Sequence, residues 1–171
     1  YGAKAYETET GTAVTVLGWD PAAAEGQFWG GFAPNDAVGK SIAASQLEQG
    51  ADVLFPVGGD QFGAGIEAIK EAGVDAVMVG VDKDIALTSP EYADYIITSA
   101  EKRMGAATFD IIEDYAVNGN FTGDYYMGDL ANEGTDISPF YAFDDKIDQA
   151  IKDRLAELKA GIIDGSIDPL S

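Results

Sequence analysis

"ADVLFPVGGDQFGAGIEAIKEAGVDAVMVGVDKD" (residues 51–84) contains a strand, a helix and a second strand in a little over thirty residues. Residues 52–57, beyond Asp52, and 76–81 are apolar throughout rather than alternating, the pattern of strands covered on both faces. Between them, residues 62–72 carry apolar side chains at helical spacing, and Gly73 supplies the left-handed stop. Two strands joined by a helix of this length run parallel. The glycines and proline after the first strand break it sharply and leave the start of the helix open.

The same alternation extends both ways. Residues 12–18, "TAVTVLG", are rich in β-branched side chains and predict a buried strand. A Gly- and aromatic-rich loop, "WDPAAAEGQFWGGFAP", follows, and Asp36 is placed as the N-cap of a helix that ends near Gly50. Downstream, residues 94–99 predict a short fourth strand and residues 101–117 a long amphipathic helix. Residues 122–130 predict a further strand. Residues 144–165 form a terminal helix with Ile147, Ile151, Leu155, Leu158 and Ile162 on one face. The expected class is α/β, a Rossmann-like lobe built on a parallel sheet. Residues 1–99 form the ligand-binding lobe, and residues 100–171 supply elements that belong partly to something else.

Composition removes many functions. The chain has 171 residues, 30 acidic against 10 basic, and a formal net charge of −20. Such a field repels phosphate backbones, so nucleic acid is excluded as a partner. Lysines outnumber arginines and no block of charge dominates, so the acidity reads as a solvated surface, although a halophilic source would share it. Histidine and cysteine are both absent. Their absence removes disulfides, thiolate nucleophiles, common zinc sites and the usual proton-transfer side chain. No cofactor or metal is expected. No stretch approaches a membrane span. The chain opens at Tyr1 without a methionine, as a mature product or fragment does once its targeting segment is gone.

In an open parallel sheet, ligands bind beyond the carboxyl ends of the strands. Gly18, Trp19 and Asp20 follow the first predicted strand, and Gly58, Gly59, Asp60 and Gln61 the second. Asp82, Lys83 and Asp84 follow the third, and Ser99 and Lys102 the fourth. Phe28, Trp29 and Phe32 hang over the same edge. Small residues, carboxylates, an amide, a lysine and a stacking wall suit a polar small-molecule pocket. Gly58 and Gly59 lack the G-x-G-x-x-G spacing and either let backbone approach a ligand or serve the turn alone. "VGKS" (residues 38–41) lacks a P-loop's first glycine, since Pro34 stands in its place. Asp82 and Asp84 suit ligand hydroxyls, helix capping, or an acid–base or metal pair. Phe28, Trp29 and Phe32 each suit core or pocket.

At these residues the chain resembles the basic membrane protein family, the PnrA-like purine-nucleoside-binding lipoproteins that serve ABC importers. "GWD…GQFWGGFAPNDAVGKSIAASQLEQGADVLFPVGG", "VGVDKD", "ITSAEKRM", "GDLANEGTDISPF" and "AGIIDGSIDP" match its motifs in order and spacing over nearly the whole chain. The resemblance implies a two-lobed periplasmic-binding-protein fold of type I closing on a nucleoside. Carried over, Phe32 stacks on the base, Asp82 holds ribose hydroxyls, Lys102 donates to the ligand, and Gly58 and Gly59 admit it closely. Trp29 and Asp60 line the same site. The family's amino-terminal lobe and lipidated cysteine have no counterpart here, so this chain corresponds to the carboxyl-terminal part. The loop around Phe32 is longer than is typical. The implied partners are a nucleoside-like ligand and an ABC transporter permease, outside the cytoplasm, with the membrane reached only through a lipid anchor beyond this chain. The alternatives are a sugar- or nucleoside-modifying enzyme using Asp82 and Asp84, and a ligand-sensing receptor lobe.

Overall fold

In a computed structural model that describes residues 1–33, 36–121 and 123–170, the 51–84 unit forms the centre of the molecule. In chain order the elements are α1 (Gly2–Thr10), β1 (Trp19–Asp20), β2 (Glu25–Gly26), α2 (Ala37–Glu48), β3 (Val53–Leu54), α3 (Phe62–Ala72) and β4 (Val77–Asp82). They continue with α4 (Ile85–Thr88), β5 (Ile96–Lys102), α5 (Met104–Ala116), β6 (Thr135–Ile137) and α6 (Gln149–Asp164). Two 3₁₀ turns, Pro90–Tyr95 and Tyr141–Lys146, precede β5 and α6.

The main sheet has the order β3-β4-β5-β6. β3, β4 and β5 are parallel, and β6 returns antiparallel along β5. The core lies between this sheet and α2, α3 and α4. Ile66, Ile69, Met78, Ile85 and Ile96 are fully or almost fully buried, each contributing roughly 1.5–3 kcal/mol by the area it removes from water. α3 lies so close to β4 that a Cβ at Gly65 would strike the Met78 methyl group. Asp36 caps α2 as expected, accepting from the backbone N–H of Val38 at 2.8 Å and of Gly39 at 3.2 Å. Gly73 ends α3 with φ 63°. No helix among the described residues is long and apolar enough to cross a membrane.

Four expected elements are corrected. The strand expected at residues 12–18 does not form, and Val14 and Val16 are exposed. The edge strand β3 pairs only at Val53 and Leu54, because Pro56 has no N–H to donate. An edge this short gives another strand little to pair with. The strand expected at residues 122–130 is also absent: Thr122 lies outside the described residues, and residues 123–129 are irregular. Asp129 and Asn132 instead bond the backbone around them, Asp129 accepting from Ala131 and Asn132, and Asn132 accepting from Asp129 and Gly134. These local bonds compete with a ladder, and the strand forms only after them, as β6.

The helix expected over 101–117 starts at Met104. Pairing with β6 draws Glu101 and Lys102 into β5, and the Thr135 hydroxyl donates to the Glu101 carbonyl at 2.8 Å. The terminal helix likewise begins at Gln149 rather than within the 3₁₀ turn before it.

α6 is fastened to the returning strand by charge. Lys159 Nζ lies 2.6 Å from Asp136 Oδ2, and Arg103 Nη2 lies 3.5 Å from the same oxygen. Partial burial by itself would raise the Asp136 carboxyl, but the Lys159 bond, the Ile137 N–H and the two nearby cations together hold it below its ordinary value. A carboxyl lowered by folding stabilises above its unfolded pKa, about 3.9, and loses that contribution as pH falls through the folded value. Urea unfolding should therefore show Asp136→Asn less stable than the parent at neutral pH, with the gap closing below about pH 4.

Candidate functional site

Asp82 is the last residue of β4 and has φ 70°. The Lys83 N–H donates back to the Val81 carbonyl at 2.9 Å. A bond spanning two residues with positive φ at the middle one is a γ-turn of the strained, rare form. Asp82 is not a glycine, so this conformation costs about 1–3 kcal/mol, and the surroundings must hold it.

Those surroundings are built from the neighbouring strand end. Ser99 is completely buried, and its hydroxyl accepts the Ile85 N–H at 3.1 Å. Asp84 caps α4 by accepting from Leu87 N–H at 3.1 Å, while its other oxygen takes the Tyr141 hydroxyl at 2.5 Å. Asp84 is thus a cap and an anchor. Each of its oxygens already accepts one hydrogen bond from within the fold.

Lys102 Nζ reaches across from the end of β5 to within 2.7 Å of Asp82 Oδ1. That oxygen is shielded from solvent, yet no hydrogen bond is aligned on it. The lysine balances the charge without saturating the acceptor. Lys102 is 71% exposed, so the pair contributes little to stability, about 0–1 kcal/mol. What remains is a charged carboxylate whose shielded oxygen has only the lysine beside it.

The glycine-rich turn after β3 and the aromatic loop meet through Gln61. This side chain is buried, its amide donates to the Gly31 carbonyl, and it occupies the space a Cβ at Gly58 would need. Gly59 adopts φ 52° and has open space around it. Asp60 is ion-paired with Lys83 at 2.9 Å. Trp29 is half-buried with its indole lying where a Cβ on Gly39 would be, so it packs on α2. Phe28 and Phe32 remain exposed at 79% and 78%. Trp29 therefore anchors the loop, and the two phenylalanines are its free apolar surface. The other end of the loop is tied by Gln46 Nε2 donating to Gln27 Oε1 at 2.8 Å.

Asp82 and Lys102 thus come together, whereas Asp84 turns away. Tyr141 was not foreseen: it lies more than fifty residues along the chain from Asp84, and no local pattern announces a contact of that span. Among the described residues, no group of three carboxylates is placed to hold a metal ion.

The comparisons with known proteins agree with this architecture. The family model for PnrA-like substrate-binding proteins of ABC transporters matches residues 27–165. The ABC transporter nucleoside-binding protein BmpA of Lactococcus lactis subsp. cremoris is 30% identical over 157 residues, covering 82% of this chain and 42% of that protein. Basic membrane protein D of Borreliella burgdorferi is 30% identical over 86 residues, 50% of this chain and 24% of that protein. An ABC transporter solute-binding protein from Aeropyrum pernix K1 superimposes with a TM-score of 0.78 at 25% identity, over 98% of this chain and 51% of that one. The chain therefore spans about half the length of that solved relative, and less than half of the two curated ones.

Strain at Asp82 makes a separable prediction. Asp82→Gly relieves the γ-turn and removes the shielded oxygen, at the smaller loss of the Lys102 pair and of some unfolded-state restriction. Urea denaturation should show the variant more stable by about 1 kcal/mol. A less stable variant would make Asp82 a structural residue.

Proposed function

The chain belongs to the PnrA-like family of ABC transporter substrate-binding proteins, and from that premise we propose that it forms part of a cleft that binds a purine-nucleoside-like solute outside the cytoplasm and presents it to a transporter permease. The observation that carries this reading is Asp82, a strained carboxylate whose shielded oxygen has no aligned donor. Strained backbone of this kind clusters at ligand-binding positions, where it holds a side chain in place. A ribose diol offers two hydroxyl donors to one carboxylate, and each charge-assisted bond of that kind is worth about 1.5–3 kcal/mol. Lys102 follows the carboxylate or donates to the ligand. Gly58 and Gly59 let backbone approach, with Asp60 beside them. Phe32 stacks on the base, beside Phe28 and against a loop seated by Trp29.

Binding is favoured over catalysis. Each Asp84 oxygen already accepts a hydrogen bond in capping and anchoring the fold, and the chain has neither histidine nor cysteine. We assign residues 1–99 to the ligand lobe and residues 100–171 to the crossing helix, the returning strand and the terminal helix. α5 supports this division. None of its residues is buried, Phe109, Ile112 and Tyr115 stand exposed, and the Tyr115 ring meets Phe121 edge-on at 5.6 Å, as expected of a surface that another lobe covers. Attachment to the membrane belongs to a lipid anchor beyond this chain.

Two substitutions test the ligand assignment, with adenosine as the probe and calorimetric titration as the readout, in a protein that carries both lobes. Asp82→Ala should weaken adenosine at least tenfold, since each lost charge-assisted bond is worth about 1.5–3 kcal/mol. It should also erase most of the preference for adenosine over its 2′,3′-dideoxy analogue. Phe32→Ala should remove about 1–3 kcal/mol of affinity, the range for stacking a base on an aromatic ring. Unchanged affinity in a folded variant would transfer the stacking role to Phe28.

A further inference from the structure

The segment between β6 and α6 is pinned to β5 at a single point. Ser138 is 2% exposed; its hydroxyl accepts the Ser99 N–H at 2.8 Å, its N–H donates to the Ser99 carbonyl at 2.9 Å, and its carbonyl accepts the Thr98 hydroxyl at 2.7 Å. Three residues on, Tyr141 has φ 43°, a conformation that a bulky aromatic residue adopts only when its surroundings impose it. Its hydroxyl ends on Asp84 Oδ2 at 2.5 Å. The ring is 43% exposed, so burial does not account for its placement.

A closed circuit results. Ser138 holds Ser99, Ser99 holds the Ile85 N–H, Ile85 follows Asp84, and Asp84 holds Tyr141, three residues after Ser138. The γ-turn at Asp82 enters this circuit at Asp84. Tyr141, at positive φ, is therefore held by a carboxylate two residues after Asp82, which is itself at positive φ.

Resting on the binding role of Asp82 proposed above, we infer that Tyr141 is a positioning residue for that carboxylate: by fixing Asp84 it holds the γ-turn that aims Asp82 across the sheet edge. Tyr141 bonds Asp84 and not Asp82 itself. It acts through the backbone, from an element that reaches the site only by way of the returning strand. A lost bond to the Asp84 charge lets residues 82–84 relax toward extended strand geometry, where the carboxylate points elsewhere.

The test is nuclear magnetic resonance on the ligand-free chain, comparing the parent with Tyr141→Phe. The three-bond HN–Hα coupling of Asp82 should move toward the extended-strand value. Amide exchange at Lys83 and Ile85 should quicken about tenfold, as loss of a bond to a charged group predicts, while Met78 and Ile66 keep parental rates. Asp84→Asn, which retains a good helix cap but weakens the same bond from its other end, should give the same pattern and serves if Tyr141→Phe folds poorly. An unmoved Asp82 coupling overturns the proposal, as does equal acceleration at Met78 and Ile66, which would make Tyr141 a general fold contact. Adenosine titration separates the two readings. Undiminished affinity in Tyr141→Phe despite a shifted coupling also overturns the positioning role. If the parent protein binds no adenosine while the coupling still shifts, only the ligand role of Asp82 falls, and Tyr141 keeps the turn.

Discussion

Between β4 and β5 there is one place where no side chain fits. A Cβ at Gly80 would fall against both the Ser99 hydroxyl and the Ile85 side chain. Only the bare backbone there lets Ser99 sit fully buried beside β4 and still reach the Ile85 N–H. That bond sets where α4 begins, and the start of α4 sets how β4 must turn to reach it. The left-handed geometry of Asp82, the capping role of Asp84 and the reach of Lys102 from the next strand all follow. Enlarging Gly80 would part the two strands at the end that carries Asp82 and Lys102.

How much of this could be read from the chain alone depended on the range of the forces involved. α2 and α3 were legible because their caps and apolar spacing are local: Asp36 bonds residues two and three ahead, and Gly73 stops its own helix. β4 was legible as an apolar run bounded by turns. The ends of β5 and the position of β6 were not, because they are decided by pairing between residues more than thirty apart. Residues 12–18 carry strong β propensity, yet propensity without a long edge to pair with does not make a strand.

The candidate site divides in the same way. That Asp82 and Lys102 gather at one sheet edge follows from where strands end. That Asp84, two residues from Asp82, faces a cap and a tyrosine instead could not be told from composition, since an aspartate at a strand end suits ligand and helix equally. Trp29 shows the same ambiguity resolved toward packing, through its seat on Gly39. Phe28 and Phe32, nearly identical by sequence, remain nearly identical in exposure.

The aromatic loop is held at three points within five residues: Gln27 on Gln46, Trp29 on Gly39, and the Gly31 carbonyl on Gln61. Ordering a free backbone costs about 1–2 kcal/mol per residue in conformational entropy. In this loop much of that ordering is complete once the protein has folded, so a molecule that settles against Phe28 or Phe32 meets a wall already in shape. Preorganisation of this kind raises affinity without adding a contact. It also makes Gln61, buried and bonded to the Gly31 carbonyl, a residue whose loss would loosen the loop rather than remove any of its apolar surface.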